Sequence, residues 1–367
     1  MKKIAIFSVN AQYKIGGAET CIKQMVDILS SDYDVTVISG QREIYEKHNK
    51  YNYNNLRIIP LFHTKYLNYF GNFVNYFLIY KFFKNNRYDV VIGNCSTCLG
   101  AINATNKVGG KAIYYVHEEF SINKRPEYGL KNTIKSKLMR LVKRISDYPF
   151  FLFHCKKNIA AINGSFRVIA NSQYIASALE KQSNINPLII YPFTDTVGRV
   201  KTNLKQAKYI TMIGSGEVKG ITTFLNTAKL MPNLQFRVIG RNLEKKQIDN
   251  VLYHPFFYNT DELYATTKLL LVPSIWQEAF GKVSLEAASH SIPVIVSNRG
   301  GLPETVCSDE LIVSDYLCEV AWKKRIEEIM QKSEIWAEKC YAHALKYDQK
   351  IDEAKLKNIL KEAIGEK

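Results

Sequence analysis

An α/β architecture with two parallel sheets, each covered by helices, is predicted by three observations. The strand-like runs are short, β-branched and apolar on successive residues, the mark of strands buried on both faces. Helix-length segments separate them. The pattern also begins twice in 367 residues, each time as a strand, a glycine-containing turn and a helix.

Taken in order, KIAIFSV (3–9) is the first strand, and KIGGAETCIKQMVDILSS follows, with Cys21, Met25, Ile28 and Leu29 at helical spacing. DVTVISG (34–40), DVVIGN (89–94), KAIYYVH (111–117) and FRVIAN (166–171) continue the first set of strands. The second set opens with YITMIGS (209–215), which leads through GEVKG into TTFLNTAKLM, and continues with FRVIGR, KLLLVPS and PVIVSN. The join is expected in the polar stretch DTVGRVKTNLKQA (195–207). The expected division is an amino-terminal domain at 1–198, a second at 199–345, and a lysine-rich helix at 346–367 packing back on the first.

Composition narrows the function. Hydrophobic residues make up 46% and charged residues 23%, a globular balance. The net charge is +16, and it is lopsided: residues 1–200 hold 27 basic and 13 acidic residues, the remainder 23 and 21. An anionic partner is expected for the first half. Seven cysteines in so long a chain make no disulfide framework, and Cys95 and Cys98 of CSTC lack a second ligand pair for zinc, so they read as core thiols. The opening apolar run, Ile4–Val9, is too short for a signal peptide, and no apolar run approaches a membrane span. A cytoplasmic location is expected.

The most informative stretch is LVPSIWQEAFGKVSLEAASHSIPVIVSNRGGLPETV (271–306). A strand ends at Pro273 and Ser274, a loop carries Glu278, and a helix is expected from about Gly281 to His290. The free backbone N–H groups at that start, Gly281 to Val283, suit a diphosphate, and Gly281 lets it approach. Glu286 lies eight residues beyond Glu278, at most ~12 Å along a helix, which suits one carboxylate at a sugar and one at a ribose. The next strand ends in Arg299, Gly300 and Gly301, a second tight turn at the same sheet edge, where open α/β sheets bind ligands.

The pattern EAFGKVSLE (278–286), followed by SIPV (291–294) and GGLPE (300–304), resembles the signature of retaining glycosyltransferases of family 4. GGAE (16–19), the histidine after YYV, ANSQ (170–173), YPFTD (191–195) and the KG at 219–220 extend the resemblance over most of the chain. It implies a GT-B fold, two Rossmann-like domains facing a cleft, and transfer of a sugar from a nucleotide diphosphate donor, expected to be a UDP-sugar, with no cofactor and no metal. By position, Glu278 would lie at the donor sugar, Glu286 at the ribose, Lys219 at the diphosphate and His117 near the sugar. Phe280, Gly281, Lys282 and Val283 belong to the same donor segment. The sequence departs from the family where GSGEVKG (214–220) has Ser215 in place of the usual arginine; Arg241 and Lys282 are candidates for the second diphosphate cation.

In the first half, Gly16 and Gly17 let the backbone approach a phosphate or sugar, although a lone GG turn also serves structure. KNTIKSKLMRLVKRI (131–145) holds six basic residues and no acid around an apolar face. It reads either as a solvated helix with a core face or as one that adsorbs to an anionic membrane. YLNYFGNFVNYFLIYKFF (66–83) is either a buried helix or part of an interfacial platform beside it. The expected enzyme is a peripheral protein of the inner membrane face acting on a glycan or lipid-linked acceptor. A nucleotide-sugar epimerase on the same fold is the alternative. Nucleic-acid binding fits the charge, but no recognition motif accompanies it.

Overall fold

The structure, a computed structural model, describes residues 1–9, 17–40, 52–56, 68–118, 122, 141–142, 144–241, 243–257 and 259–366. Gly16 and most of the 131–145 segment lie outside the described residues. The chain divides into two compact units, Met1–Ile190 with Glu353–Lys367, and Tyr191–Asp352.

Among the described residues, the first unit carries β1 (Lys3–Phe7), α1 (Gly17–Leu29), β2 (Asp34–Gly40), β3 (Asn52–Leu56), α2 (Asn68–Asn85), β4 (Val90–Asn94), α3 (Leu99–Lys107), β5 (Lys111–Val116), α4 (Tyr148–Gly164), β6 (Arg167–Ala170), α5 (Gln173–Ser183) and β7 (Leu188–Ile189). Its sheet has the order β3-β2-β1-β4-β5-β6-β7, with every pair parallel. Ile4, Ala5, Ile6 and Phe7 are wholly buried, as strands covered on both faces require. Local chemistry sets the helix ends: Ser172 Oγ accepts from Ile175 N to start α5, and Asn184, at φ 52°, ends it. The buried Asp147 accepts from Tyr69 N at 2.9 Å and so caps α2 from a distant point in the chain.

The second unit holds β8 (Tyr209–Ile213), α6 (Ile221–Lys229), β9 (Gln235–Ile239), β10 (Lys246–Ile248), β11 (Val251–His254), α7 (Thr260–Ala265), β12 (Thr267–Val272), α8 (Lys282–Ser289), β13 (Val294–Ser297), β14 (Ile312–Val313), α9 (Glu319–Met330) and α10 (Ser333–Ala344). The order is β10-β11-β9-β8-β12-β13-β14, parallel except for the β10–β11 hairpin. The last helix, α11 (Gln349–Ile364), leaves this unit, and its later turns belong to the first, where Lys357 pairs with Asp32 at 2.9 Å and Glu362 with Arg167 at 2.9 Å. The two-sheet α/β architecture expected from the strand pattern is the one observed.

In a sheet of this kind, strand order reverses at one point, and the crevice outside the carboxyl ends of the two strands there receives ligands. In the second unit that point lies between β8 and β12. Lys219 is on the loop leaving β8, and Glu278 is on the loop leaving β12.

Candidate active site

The site in the second unit is assembled by backbone contacts before any charge is considered. The loop after β8 makes a 3-10 turn at Glu217–Lys219 and ends at Gly220, whose φ of 84° favours glycine. A Cβ at Gly220 would fall 1.8 Å from the Pro273 carbonyl, so only glycine allows this turn to lie against the end of β12. Ile275 N and Trp276 N both donate to the Val218 carbonyl at 3.0 Å, and the two loops run together as one support.

The Gly300–Gly301 turn holds the other side. A Cβ on Gly300, at φ 60°, would come within 2.0 Å of the Glu278 carbonyl, and one on Gly301 within 2.5 Å of the Ala279 carbonyl. Gly301 N instead donates to Glu278 O at 2.7 Å, Ser297 Oγ to Ser274 O at 2.7 Å, and Arg299 Nε to Ile275 O at 2.8 Å. This turn therefore fixes the Glu278 loop.

Lys219 and Glu278 meet. Lys219 Nζ donates to Glu278 Oε1 at 2.5 Å, and so does Ser274 Oγ at 2.5 Å. The carboxylate side chain is 16% exposed and the lysine 43%, so the cation remains open to an incoming anion. Beside them α8 starts at Gly281, φ 115° and ψ 50°, with no side chain capping it. The Ser284 hydroxyl in its first turn is buried and has no hydrogen-bond partner. An uncapped helix start next to a half-exposed ammonium has the chemistry of an anion site.

One turn further, Glu286 takes a hydrogen bond from Tyr264 OH at 3.2 Å through Oε2, and Lys282 Nζ lies 3.8 Å from Oε1. Phe280 is 2% exposed, and its ring packs on Tyr191 at 5.1 Å and Tyr347 at 5.8 Å, so it anchors the loop. Val283 is half-buried on α8, while Ser215 and Arg241 are exposed at the carboxyl ends of β8 and β9.

In the first unit, His117 follows β5 and is 8% exposed. Its Nε2 lies 3.0 Å from Asn94 Oδ1; since Asn94 Nδ2 donates to Phe7 O at 3.4 Å, the ring nitrogen is the donor. Burial lowers its pKa to about 3, so the imidazole is neutral across physiological pH. Glu118 beside it accepts from both Ser96 N and Ser96 Oγ, at 3.1 and 2.9 Å, and burial pushes its carboxyl up. Gly17 opens α1, and a Cβ there would meet nothing within 4 Å. Cys98 is fully buried and Cys95 partly so, each with its thiol held well above the ordinary range by burial, as core thiols are.

Lys219 and Glu278, both expected from the sequence, meet beyond the ends of β8 and β12, with Gly281 at the start of the helix that follows and Glu286 one turn along it. Two partners were not expected: Ser274, which lies four residues before Glu278 at the end of the same strand run, and Tyr264, whose partner is 22 residues away. Ser274 had a signal in its spacing; Tyr264 had none short of the fold.

Comparison with known proteins gives the family. Residues 15–197 match the family described as Glycosyltransferase Family 4, and residues 196–347 match Glycosyl transferases group 1. An uncharacterized 41.2 kDa protein in the cps region of Klebsiella pneumoniae is 25% identical over 287 residues, which is 72% of this chain and 75% of that one. Among solved structures, sucrose-phosphate synthase from Thermosynechococcus elongatus superposes with a TM-score of 0.76 at 15% identity over 100% of both chains. Anabaena HepE in complex with UDP and glucose superposes with a TM-score of 0.70 at 17% identity, covering 98% of this chain and 99% of that one. Two family matches that together run from residue 15 to residue 347, on a fold shared with these enzymes, make the chain a GT-B glycosyltransferase belonging to family 4.

Proposed function

We propose that the enzyme transfers a sugar from a nucleotide diphosphate sugar, a UDP-sugar, to an acceptor hydroxyl on a lipid-linked glycan or envelope polysaccharide precursor, with retention at the anomeric carbon and without a divalent metal. The observation that carries the reading is the meeting of Lys219 with Glu278 beside the uncapped start of α8. A donor diphosphate seated on the α8 amides draws Lys219 toward itself and shares its charge as the nucleotide leaves. Glu278, relieved of that partner but still bonded to Ser274, turns its free charge toward the sugar. Its role is electrostatic and orienting, since a glycosidase mechanism needs two carboxylates flanking one bond. The leaving phosphate takes the acceptor proton.

The first unit supports the acceptor side. Phe70, Phe73 and Phe77 of α2 interlock with Phe150 and Phe153 of α4 at 4.8–5.6 Å between ring centroids. This seam opens to solvent at Phe70 and Phe77, and Leu141, Val142, Ile145, Tyr148, Leu152 and Ile159 are exposed along and before α4. Neither α2 nor α4 contains an acid, whereas Lys81, Lys84, Lys156 and Lys157 lie on them. No described helix is long and apolar enough to cross a membrane. An exposed apolar face with basic flanks suits adsorption to an anionic bilayer, where such an acceptor resides.

The test is a panel of nucleotide sugars read by thermal shift in EDTA, followed by NMR of the transferred product. UDP-sugars should raise the melting temperature, because ligands of the native state do so, and the product anomer should match that of the donor. An inverted product ends the retaining mechanism, and activity that returns only with magnesium or manganese ends the metal-free one.

A further inference from the structure

Glu286 is not free to choose its own orientation. Its Oε2 accepts from the Tyr264 phenol at 3.2 Å, and Lys282, one turn earlier on α8, lies 3.8 Å from Oε1. Tyr264 is itself immobile: it is 2% exposed, and its ring stacks on His290 at 4.7 Å with 26° between planes. His290 closes α8 four residues after Glu286, and Tyr264 contacts both. His290 is anchored in turn, with Nδ1 donating to the Val200 carbonyl at 2.9 Å and Nε2 lying 3.5 Å from Asp261. α7 thus supplies a rigid phenol whose one polar atom points at the carboxylate. Burial, and next the Glu286 charge, hold that phenol well above its ordinary pKa, so it remains a donor.

We infer that Tyr264 is a positioning residue that fixes Glu286 as a reader of vicinal ribose hydroxyls, and that it makes the site select ribonucleoside diphosphate donors over 2′-deoxyribonucleoside ones such as thymidine diphosphate sugars. The inference rests on the ribose role that the family resemblance implies for Glu286. A carboxylate is an acceptor only, and two hydroxyl donors on adjacent carbons match its two oxygens. Glutamate loses considerable side-chain freedom when it is ordered. With one oxygen already held by Tyr264, that ordering precedes the ligand, and the binding cost falls. A deoxyribose leaves the site one hydrogen bond short in a half-buried place, the situation in which a missing hydroxyl discriminates most strongly.

Calorimetric titration of wild type, Tyr264→Phe and Glu286→Ala with UDP, 2′-deoxy-UDP and thymidine diphosphate separates the possibilities, with ADP and GDP and their 2′-deoxy forms in parallel. Wild type should prefer the ribonucleotide by about tenfold, in line with one hydrogen bond to a charged group. Tyr264→Phe should cut that ratio to about threefold by weakening the ribonucleotide, with the deoxynucleotide unchanged within about twofold. Equal weakening of both forms would show a merely structural tyrosine and overturn the inference. An unchanged ratio in Tyr264→Phe with a lost ratio in Glu286→Ala overturns it while leaving the ribose role standing. A ratio that survives Glu286→Ala, or a wild type that binds none of the nucleotides, removes the ribose role and the inference with it. If Tyr264→Phe folds poorly, 3-fluorotyrosine at 264, a stronger donor, should raise the ratio, and no rise counts against the proposal.

Discussion

The two units share a sheet plan and differ in where their chemistry lies. In the second, the loops leaving β8, β12 and β13 are bound to one another by backbone hydrogen bonds and by glycines that admit no side chain, and Lys219, Glu278 and Ser274 meet on them. In the first, the distinguishing features are a basic excess and an apolar seam across two helices. The exposed apolar residues of the second unit, such as Val218, Leu230, Ile248 and Val320, are scattered over separate elements. The lesson is that a site built from close backbone approach concentrates its information in a short stretch of sequence, whereas an apolar seam with basic flanks spreads it through composition.

The sharpest test of the contrast is at Glu278. Glu278→Gln keeps shape and removes charge, and turnover should fall about 10²- to 10³-fold, the scale of losing a group that acts on developing charge. Nucleotide affinity should stay within about twofold, since the helix start and Lys219 are intact. Near-normal turnover would refute the placement at the sugar.

Gly300→Ala tests whether close backbone approach builds the site. The new Cβ would overlap the Glu278 carbonyl and adopt a left-handed conformation, at a cost above the ~1–2 kcal/mol of the conformation alone. Gly109 in the first unit has φ 78° but nothing within 4 Å, so Gly109→Ala should cost only that conformational part. Melting temperatures should therefore drop much further for Gly300→Ala, and its turnover should fall by at least about tenfold. Equal drops would mean that the Gly300 turn supports nothing.

Legibility in the sequence followed the same division. Nine apolar runs marked nine strands that the structure contains, because buried parallel strands need continuous β-branched residues. The polar strand NYNNL (β3) and the three-residue edge strand β10 carried no such signal. Glu278 and Glu286 were singled out by their spacing around a strand end and a glycine, and Lys219 by the family resemblance; that Lys219 meets Glu278 is what the fold adds. The close packing of Gly300–Gly301 on the Glu278 and Ala279 backbone was not legible, because those neighbours are distant in sequence. Phe280 was legible as part of the donor segment, yet its ring turns to Tyr191 and Tyr347, contacts that spacing does not reveal.

The surface half of the comparison is tested with Phe77→Ser, Leu152→Ser and Ile159→Ser combined. These residues are 50%, 48% and 44% exposed, and because Phe77 also packs on Phe153 at 5.6 Å, the melting temperature of the variant is measured alongside. Each loses apolar area worth about 1 kcal/mol in a bilayer interface, and co-sedimentation with anionic vesicles should weaken by about 30-fold or more. Nucleotide binding, proposed for the second unit, should not move. Vesicle binding equal to the parent's would assign the apolar seam to another partner.

The smallest expected effect separates the units by acid. Burial lowers His117 to about 3 and His154 to about 4, and both belong to the first unit. A group depressed in the folded state binds its proton first in the unfolded chain, so the stability is complete above pH ~6.5 and is lost as pH falls from there through the folded values. Glu118, pushed up by burial, works in the opposite sense in the same unit, while His290 and His343 of the second unit are lowered too, with backbone hydrogen bonds and, for His290, Asp261 offsetting their burial. His154 isolates the effect, because its Nε2 is buried without a partner and its ring lies against Tyr69 at 5.2 Å. His154→Phe should match or exceed the parent's stability at pH 7, having removed an unpaired polar atom. Between pH 7 and pH 5 it should spare the first unit a loss of up to about 2 kcal/mol, read by hydrogen exchange of peptides from β5 and α4. Peptides from α8 and β13 serve as the internal reference. If the variant and the parent lose protection equally on acidification, the buried imidazole is not what sets the acid limit of the first unit.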